Sequence, residues 1–324
     1  MVTPPPTAAG RSPAFTIVMP CHRAAHTLPA AIASVRAQSE ADFELIIVDD
    51  GSPDDSIAVC AAAIGGDPRC RVIGQDRQGP SAARNTGVAM GRGTLVAFLD
   101  ADDVWTPDVL RAHRAHFERR PELGVSFGRV RFFDPGMTRP GRLSAHHGTL
   151  DLGQVLAENP LCTTSNMVVR RGLFTELGGF DRGLSHAEDQ DFLVRVLALT
   201  DQPICGIDQE LVQYRTSPAG LSADLTQMAQ GWQAMLERAR GIIPPARLAQ
   251  VESRARALHG RYLARRALRT GQAPRSALRH FCAAWRADAS ALLTCEPRRT
   301  ALTAAGILAA LVLPRRLAAP LIAR

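Results

Sequence analysis

Acidic residues collect at three places in the chain: Asp49-Asp50, Asp100-Ala101-Asp102-Asp103, and Glu188-Asp189-Gln190-Asp191. The first two follow short apolar runs, Phe43 to Val48 and Leu95 to Leu99, that read as buried strands. In a parallel sheet the five carboxylates at these strand ends would leave by one edge and repel one another. Such a set survives only where a cation or hydrogen-bond donors compensate it, so these strand ends are a candidate functional site. The third group opens an apolar helix, Phe192 to Leu197, where acids also suit the positive end of the helix dipole.

The 324-residue chain contains no lysine, and its net charge of +7 comes from arginine alone. That removes phosphate-loop nucleotide hydrolysis, Schiff-base chemistry and kinase-type transfer, each of which needs a lysine amine. Seven cysteines are scattered without a C-x-x-C pair, which argues against a zinc site or a disulfide framework and fits a reducing cytosol. The arginine richness carries no nucleic-acid signal of its own.

Around these residues the first half alternates strand and helix. Strands are expected at 15–19, 43–48, 71–74 and 95–99, with helices at 28–38, 56–64 and 81–90 between them. This βαβα rhythm predicts an α/β fold with a mostly parallel sheet, whose ligand site lies beyond the carboxyl ends of the strands. Farther on, a helix is expected over 107–119, a strand over 125–133, a Gly/Pro/His loop over 134–148, a strand over 166–169 and a helix over 189–199. After Leu225 only helical stretches follow, punctuated by Pro244-Pro245, Pro274 and Pro297. The organisation expected is a loose tail over 1–13, with no secretory signal, a catalytic domain over 14–224, and a helical region over 225–324.

Phe15-Thr-Ile-Val-Met-Pro20, Glu44-Leu-Ile-Ile-Val-Asp-Asp-Gly-Ser52, Gly79-Pro-Ser-Ala-Ala-Arg-Asn-Thr-Gly87, Leu99-Asp-Ala-Asp-Asp103, and Gly178-Gly-Phe-Asp181 followed by Glu188-Asp-Gln-Asp-Phe192 together resemble the ordered motifs of family 2 glycosyltransferases. The resemblance covers about residues 14–215 and implies the GT-A fold, a Rossmann-like nucleotide-binding sheet. It implies an inverting transfer of one sugar, of hexosyl type, from a nucleoside diphosphate sugar, UDP-linked by expectation, to a hydroxyl of a glycan or lipid-linked acceptor. Cell-envelope polysaccharide is the corresponding product class.

The resemblance also assigns roles. Asp102 would hold a divalent cation, Mg2+ or Mn2+, with Asp100 helping it or facing the ribose, because a leaving diphosphate needs its charge neutralised. Asp50 would read the base, with Asp49 beside it and Pro20 on the same substrate side; the plain alternative is a helix-capping turn. Arg84 offers a planar fork to phosphate oxygens or, more plainly, an ion pair to a strand-end acid, and Asn85 braces the loop. Asp189 would take the acceptor's proton, with Glu188 and Asp191 as neighbours that orient it or touch the acceptor. The turn around Phe180 reads as structural.

Two features depart from the family pattern. Cys21-His22-Arg23 follows Pro20 where an aromatic residue and Asn are common, and the Gln-x-x-Arg-Trp signature of processive synthases is absent. Single addition is therefore favoured over polymerisation. A sugar nucleotidyltransferase would need a basic Gly-rich loop with a lysine, and a non-catalytic membrane-surface protein would leave all the acids idle.

Residues 225–324 hold 17 arginines against four acids, whereas the rest of the chain is net acidic. Leu248, Val251, Ala255, Leu258 and Tyr262 mark one helix face, with Arg247, Arg254 and Arg261 beside it. The uncharged run from Ala301 to Leu313 is shorter than the roughly 20 residues a membrane span requires. Either this region is an ordinary appendage with solvated arginines, or it attaches the protein to anionic lipid at the inner face of the cell membrane. The second expectation brings the site to a lipid-linked acceptor.

Overall fold

The computed structural model describes residues 12–217, 224–314 and 317–318. Most of the expected N-terminal tail, residues 1–11, lies outside the described residues, as do Arg315 and Arg316. The chain divides into two compact units. Unit one comprises residues up to His146, Thr163–Phe180 and Gly206–Arg215; unit two comprises His147–Cys162, Asp181–Cys205 and the chain from Thr216 onward. The change in charge near residue 225 is thus a different partition from the one set by packing.

Unit one is built on a sheet whose first half is the expected alternation: β1 (Phe15–Cys21), α1 (Leu28–Arg36), β2 (Phe43–Asp50), α2 (Ser56–Ile64), β3 (Cys70–Gln75), α3 (Pro80–Met90) and β4 (Leu95–Phe98). The pairs β2–β3, β1–β2 and β1–β4 are all parallel. β1, β2 and β4 are buried almost throughout, which explains why they read as unbroken apolar runs. Helix α3 packs close to β1 because Gly87 leaves room: a Cβ there would lie 2.4 Å from Val18 Cγ1.

After β4 come β5 (Val104–Trp105), α4 (Val109–Arg119), β6 (Val125–Phe133), β7 (Pro140–Leu143), α5 (Leu152–Ala157), a single 3-10 turn (Thr164–Asn166), β8 (Met167–Arg170) and α6 (Arg171–Glu176). They are followed by α7 (Glu188–Leu199) and β9 (Ile204–Arg215). The sheet order is β3-β2-β1-β4-β8-β6-β9-β5, with β7 on β6. β4–β8, β6–β8, β6–β7 and β5–β9 pair antiparallel. Short β7 lies inside the stretch expected to be a loop, and its first three residues are exposed, so no apolar pattern marks it.

Unit two holds α5, α7 and the C-terminal helices α8 (Leu225–Ile242), α9 (Pro245–Ala249), α10 (Glu252–Arg269), α11 (Pro274–Thr294) and α12 (Pro297–Val312). Prolines at their first positions open α9, α11 and α12, where a missing N–H costs nothing. Their shared core includes Leu225, Leu263, Leu268, Ala277 and Ile307. Trp232 stacks on His259 at 4.1 Å and donates from Nε1 to the carbonyl of Leu156. Arg261, on the helix face expected to be solvated, is 2% exposed and pairs with Glu296 and Glu158. Among the described residues no helix is long and apolar enough to cross a membrane.

Candidate active site

In unit one the parallel strands β2, β1 and β4 send their carboxyl ends to the same edge. β2 finishes in Asp49-Asp50, and β4 runs directly into Asp100. Gly51, at φ +66°, then turns the chain in a conformation that side-chain-bearing residues rarely adopt.

Asp50 is 4% exposed, and its carboxylate is committed to the next loop. Oδ1 accepts from Gln75 Nε2 and from the Gln78 backbone N–H, both at 2.8 Å, while Oδ2 accepts from the Gly79 N–H at 2.8 Å. It thereby ties down the chain that opens α3. Asp49 Oδ2 accepts from the Ser52 N–H at 3.3 Å, and its Oδ1 is buried with no hydrogen-bond partner among the described residues. Pro20 pairs with Val48 in the adjoining strand, and His22 Nδ1 lies 3.1 Å from the Asp50 carbonyl.

Arg84, in the second turn of α3, is 4% exposed and donates from Nη2 to Asp100 Oδ1 at 2.6 Å. Asn85 braces another part of the chain: Nδ2 donates to the Phe180 carbonyl and Oδ1 accepts from the Phe180 N–H. Phe180 itself is buried against Phe98 and Phe174. Asp102 is the exposed member of the strand-end acids, yet protein atoms crowd around it. That desolvation, followed by the negative charge of Asp100, pushes its carboxyl up to about 6. Asp103 is fully enclosed. It accepts from Ser165 Oγ at 2.6 Å, Thr163 Oγ1 at 3.3 Å and the Arg215 N–H at 3.1 Å, and burial holds it well above the usual carboxylate range.

In unit two, the acids of α7 sit behind Ala187, whose φ of +63° ends the preceding turn. Asp189 is 8% exposed, and Oδ2 accepts from Asn159 Nδ2 at 2.6 Å. Asp191 is enclosed between Arg195, whose Nε donates at 2.8 Å, and Arg238, whose Nε donates at 3.2 Å. Arg238 also pairs with Asp181 at 2.5 Å. Asp191, Arg195, Arg238 and Ile242 line a cavity of about 260 Å3. Glu188 is half-buried at the start of the helix.

The profile of "Glycosyl transferase family 2" matches residues 16–178, half of the chain. This chain belongs to glycosyl transferase family 2. It is 42% identical over 107 residues to the succinoglycan biosynthesis protein ExoO of Rhizobium meliloti, a match covering 33% of this chain and 30% of that one. The chain therefore spans about a third of that relative's length. Among solved structures, S. aureus TarS 1-349 in complex with UDP-GlcNAc superposes with a TM-score of 0.60 at 16% identity, over 94% of this chain and 82% of that one. The mannosyltransferase PcManGT of Pyrobaculum calidifontis, in complex with GDP-Man and Mn2+, gives 0.60 at 19% identity over 97% and 86%. These likenesses establish the expected GT-A fold.

For a family 2 chain the charge balance at the edge matters most. Among the described residues no three His, Cys, Asp or Glu side chains converge on one point. With Asp100 turned to Arg84 and Asp103 enclosed, Asp102 offers the open carboxylate. One such ligand suits a hard cation that completes its shell with diphosphate oxygens and water. The sequence motifs do not reveal Ser165, Thr163, Asn159 or Arg215. Arg215 donates from Nε to the Asp102 carbonyl at 3.0 Å, and Ser165 Oγ accepts from the Asp100 N–H at 3.0 Å while donating to Asp103. No local spacing announces partners 30 to 113 residues away.

Proposed function

We propose that this family 2 protein moves a single sugar from a nucleoside diphosphate sugar, UDP-linked, to a hydroxyl of a glycan or lipid-linked acceptor of the cell envelope, with inversion. The observation that carries the reading is the edge of unit one, where Asp50 is held by the loop that opens α3, Asp100 is held by Arg84, and Asp102 is exposed. A nucleoside would lie beside the loop that Asp50 holds through Gln78 and Gly79. Asp102, with Asp100 behind it, would hold Mg2+ or Mn2+. Bound there, the cation would neutralise the departing diphosphate. Arg84 holds Asp100 in place and adds positive charge on the same side.

In this proposal Asp189 is the base. The acceptor oxygen forms its bond to the anomeric carbon as the bond from that carbon to the diphosphate oxygen breaks, and the hydroxyl proton passes to the Asp189 carboxylate. Asn159 fixes the rotamer of that carboxylate through Oδ2. Asp191, locked between two arginines, serves in positioning α7, and Glu188 faces the acceptor side. A lipid-linked acceptor places the work at the inner face of the cell membrane.

Asp189→Asn tests the base directly. Sugar transfer should fall by about 100- to 10,000-fold, while UDP binding with Mn2+, followed by calorimetry, stays close to that of the unaltered protein. Transfer at the full rate would remove Asp189 from the mechanism.

A further inference from the structure

Two helices of unit two turn an unusual side to solvent. The buried positions of α12 are Thr300, Thr303, Gly306, Ile307 and Ala309. Its outer side carries Leu308, Leu311 and Val312, exposed by 63, 43 and 79%. A helix made for water outside and core inside has the opposite distribution. Beside it, α11 presents Leu278 and Trp285 seven residues apart and hence on one face, both exposed, and Leu293 is exposed beyond the kink at Asp288, where φ is -165°.

Positive charge predominates near these side chains. Arg275, Arg279 and Arg286 on α11 and Arg298 at the start of α12 are exposed. The two acids of this region are already engaged. Glu296 accepts from Arg261 and Arg299, and Asp288 accepts from the Ala291 N–H at 2.8 Å. The surface thus combines exposed apolar side chains with exposed arginines, which outnumber the two acids Asp288 and Glu296 among the described residues of 274–312.

We infer that the outer faces of α11 and α12 form a docking surface for an anionic lipid bilayer. The leucines, Val312 and Trp285 enter the boundary between headgroups and acyl chains, and the arginines reach lipid phosphates from their apolar stems. Apolar exposure of this kind, on two helices whose buried sides share one core, marks an interaction surface. A symmetric pairing with a second copy would press two arginine rims together, whereas an anionic bilayer complements them. The inference rests on the proposed transfer for its purpose, since it supplies the surface carrying a lipid-linked acceptor; its geometry is independent of that reading.

The test is flotation of the full-length protein with phosphatidylcholine vesicles, with and without phosphatidylglycerol. The unaltered protein should float with the anionic vesicles and be released by salt. The emission of Trp285 should shift to the blue, because Trp105 and Trp232 are buried at 3 and 6% exposure and cannot enter the lipid. The double variant Leu308→Glu, Val312→Glu should lose vesicle binding by at least about tenfold and keep its circular dichroism, melting temperature and donor hydrolysis. The triple variant Arg275→Gln, Arg279→Gln, Arg286→Gln should lose the preference for phosphatidylglycerol. Absence of flotation, or a double variant that floats like its parent, would overturn the proposal. So would a lipid-free dimer in sedimentation velocity that the double variant dissociates. Flotation without any sugar transfer would leave the docking surface standing and remove the transferase reading, and transfer without flotation would do the reverse.

Discussion

Asp102 and Asp100 flank a single alanine after a buried strand, and only one of them has a cationic partner within hydrogen-bond distance. Arg84 takes Asp100, while Asp102 is exposed, and crowding by protein atoms followed by the charge of Asp100 raises its carboxyl. In the proposed transfer this is the carboxylate that a cation would use. Asp102→Asn removes the repulsion without changing shape. The expected outcome is a metal-free protein whose melting temperature is equal to or above that of its parent, combined with loss of the stabilisation that UDP and Mn2+ together confer. A variant still stabilised by the pair to the original extent would show that the cation is held elsewhere. Asp103 makes a useful contrast: adjacent in sequence, it is enclosed by Ser165, Thr163 and Arg215, and its task is to join β4 to the turn before β8 and the end of β9.

At the scale of elements, the close seat of α3 on β1 and β2 carries both Arg84 and the loop held by Asp50. Gly87 makes that seat possible, since an added Cβ would meet Val18 Cγ1 at 2.4 Å and Val48 Cγ2 at 3.2 Å. Gly87→Ala should therefore destabilise the protein by about 1–3 kcal/mol through overpacking, seen as a lower urea midpoint, and should weaken UDP binding because Arg84 rides on the same helix. An unchanged midpoint would mean that α3 shifts freely. In the parallel half of the sheet β1, β2 and β4 were legible in the sequence because they are buried on both faces and read as continuous apolar runs, and β2 and β4 run into acids, whereas β3 is only half-buried. β9 was not legible: Asp208-Gln-Glu210 interrupts it, and Arg129 and Arg131 on β6 pair with Asp208 and Glu210 across the sheet. The Asp-x-Asp and Glu-Asp-Gln-Asp positions could be singled out from their residue types, but the partners that orient them could not. Asn159 reaches Asp189 from a loop 30 residues upstream, through a contact that no motif encodes.

Over the whole molecule, acid should act on both units through buried histidines. His113 in unit one and His259 in unit two are fully enclosed, and burial first of all lowers each to about 3. His113 Nδ1 and His116 Nδ1 both lie 2.8 Å from Ser126 Oγ, so the hydroxyl donates to one ring and accepts from the other; protonating both rings would leave its hydrogen without an acceptor there. His259 lies flat against Trp232 with Nδ1 on the Ala157 carbonyl. Since the unfolded histidines titrate near 6.5, the unfolded chain binds more protons below that pH, and stability is lost as pH falls from about 6.5 toward 3. Between pH 6.5 and 5 each histidine should cost about 2 kcal/mol. Asp103, and Asp102 below about 6, work the other way, because their raised folded-state values favour the protonated native protein. Asp67, lowered to about 2 chiefly by the Arg69 hydrogen bond, contributes stability above 3.8 that is lost only as pH falls through about 2, outside this window. The parent's own pH curve should therefore be shallow, and the decisive quantity is a difference. His113→Gln and His259→Gln should each lose less stability than the parent between pH 7.5 and 5, by about 2 kcal/mol in urea unfolding. Identical slopes in all three proteins would mean that these rings gain protons in the native state as readily as in the unfolded chain.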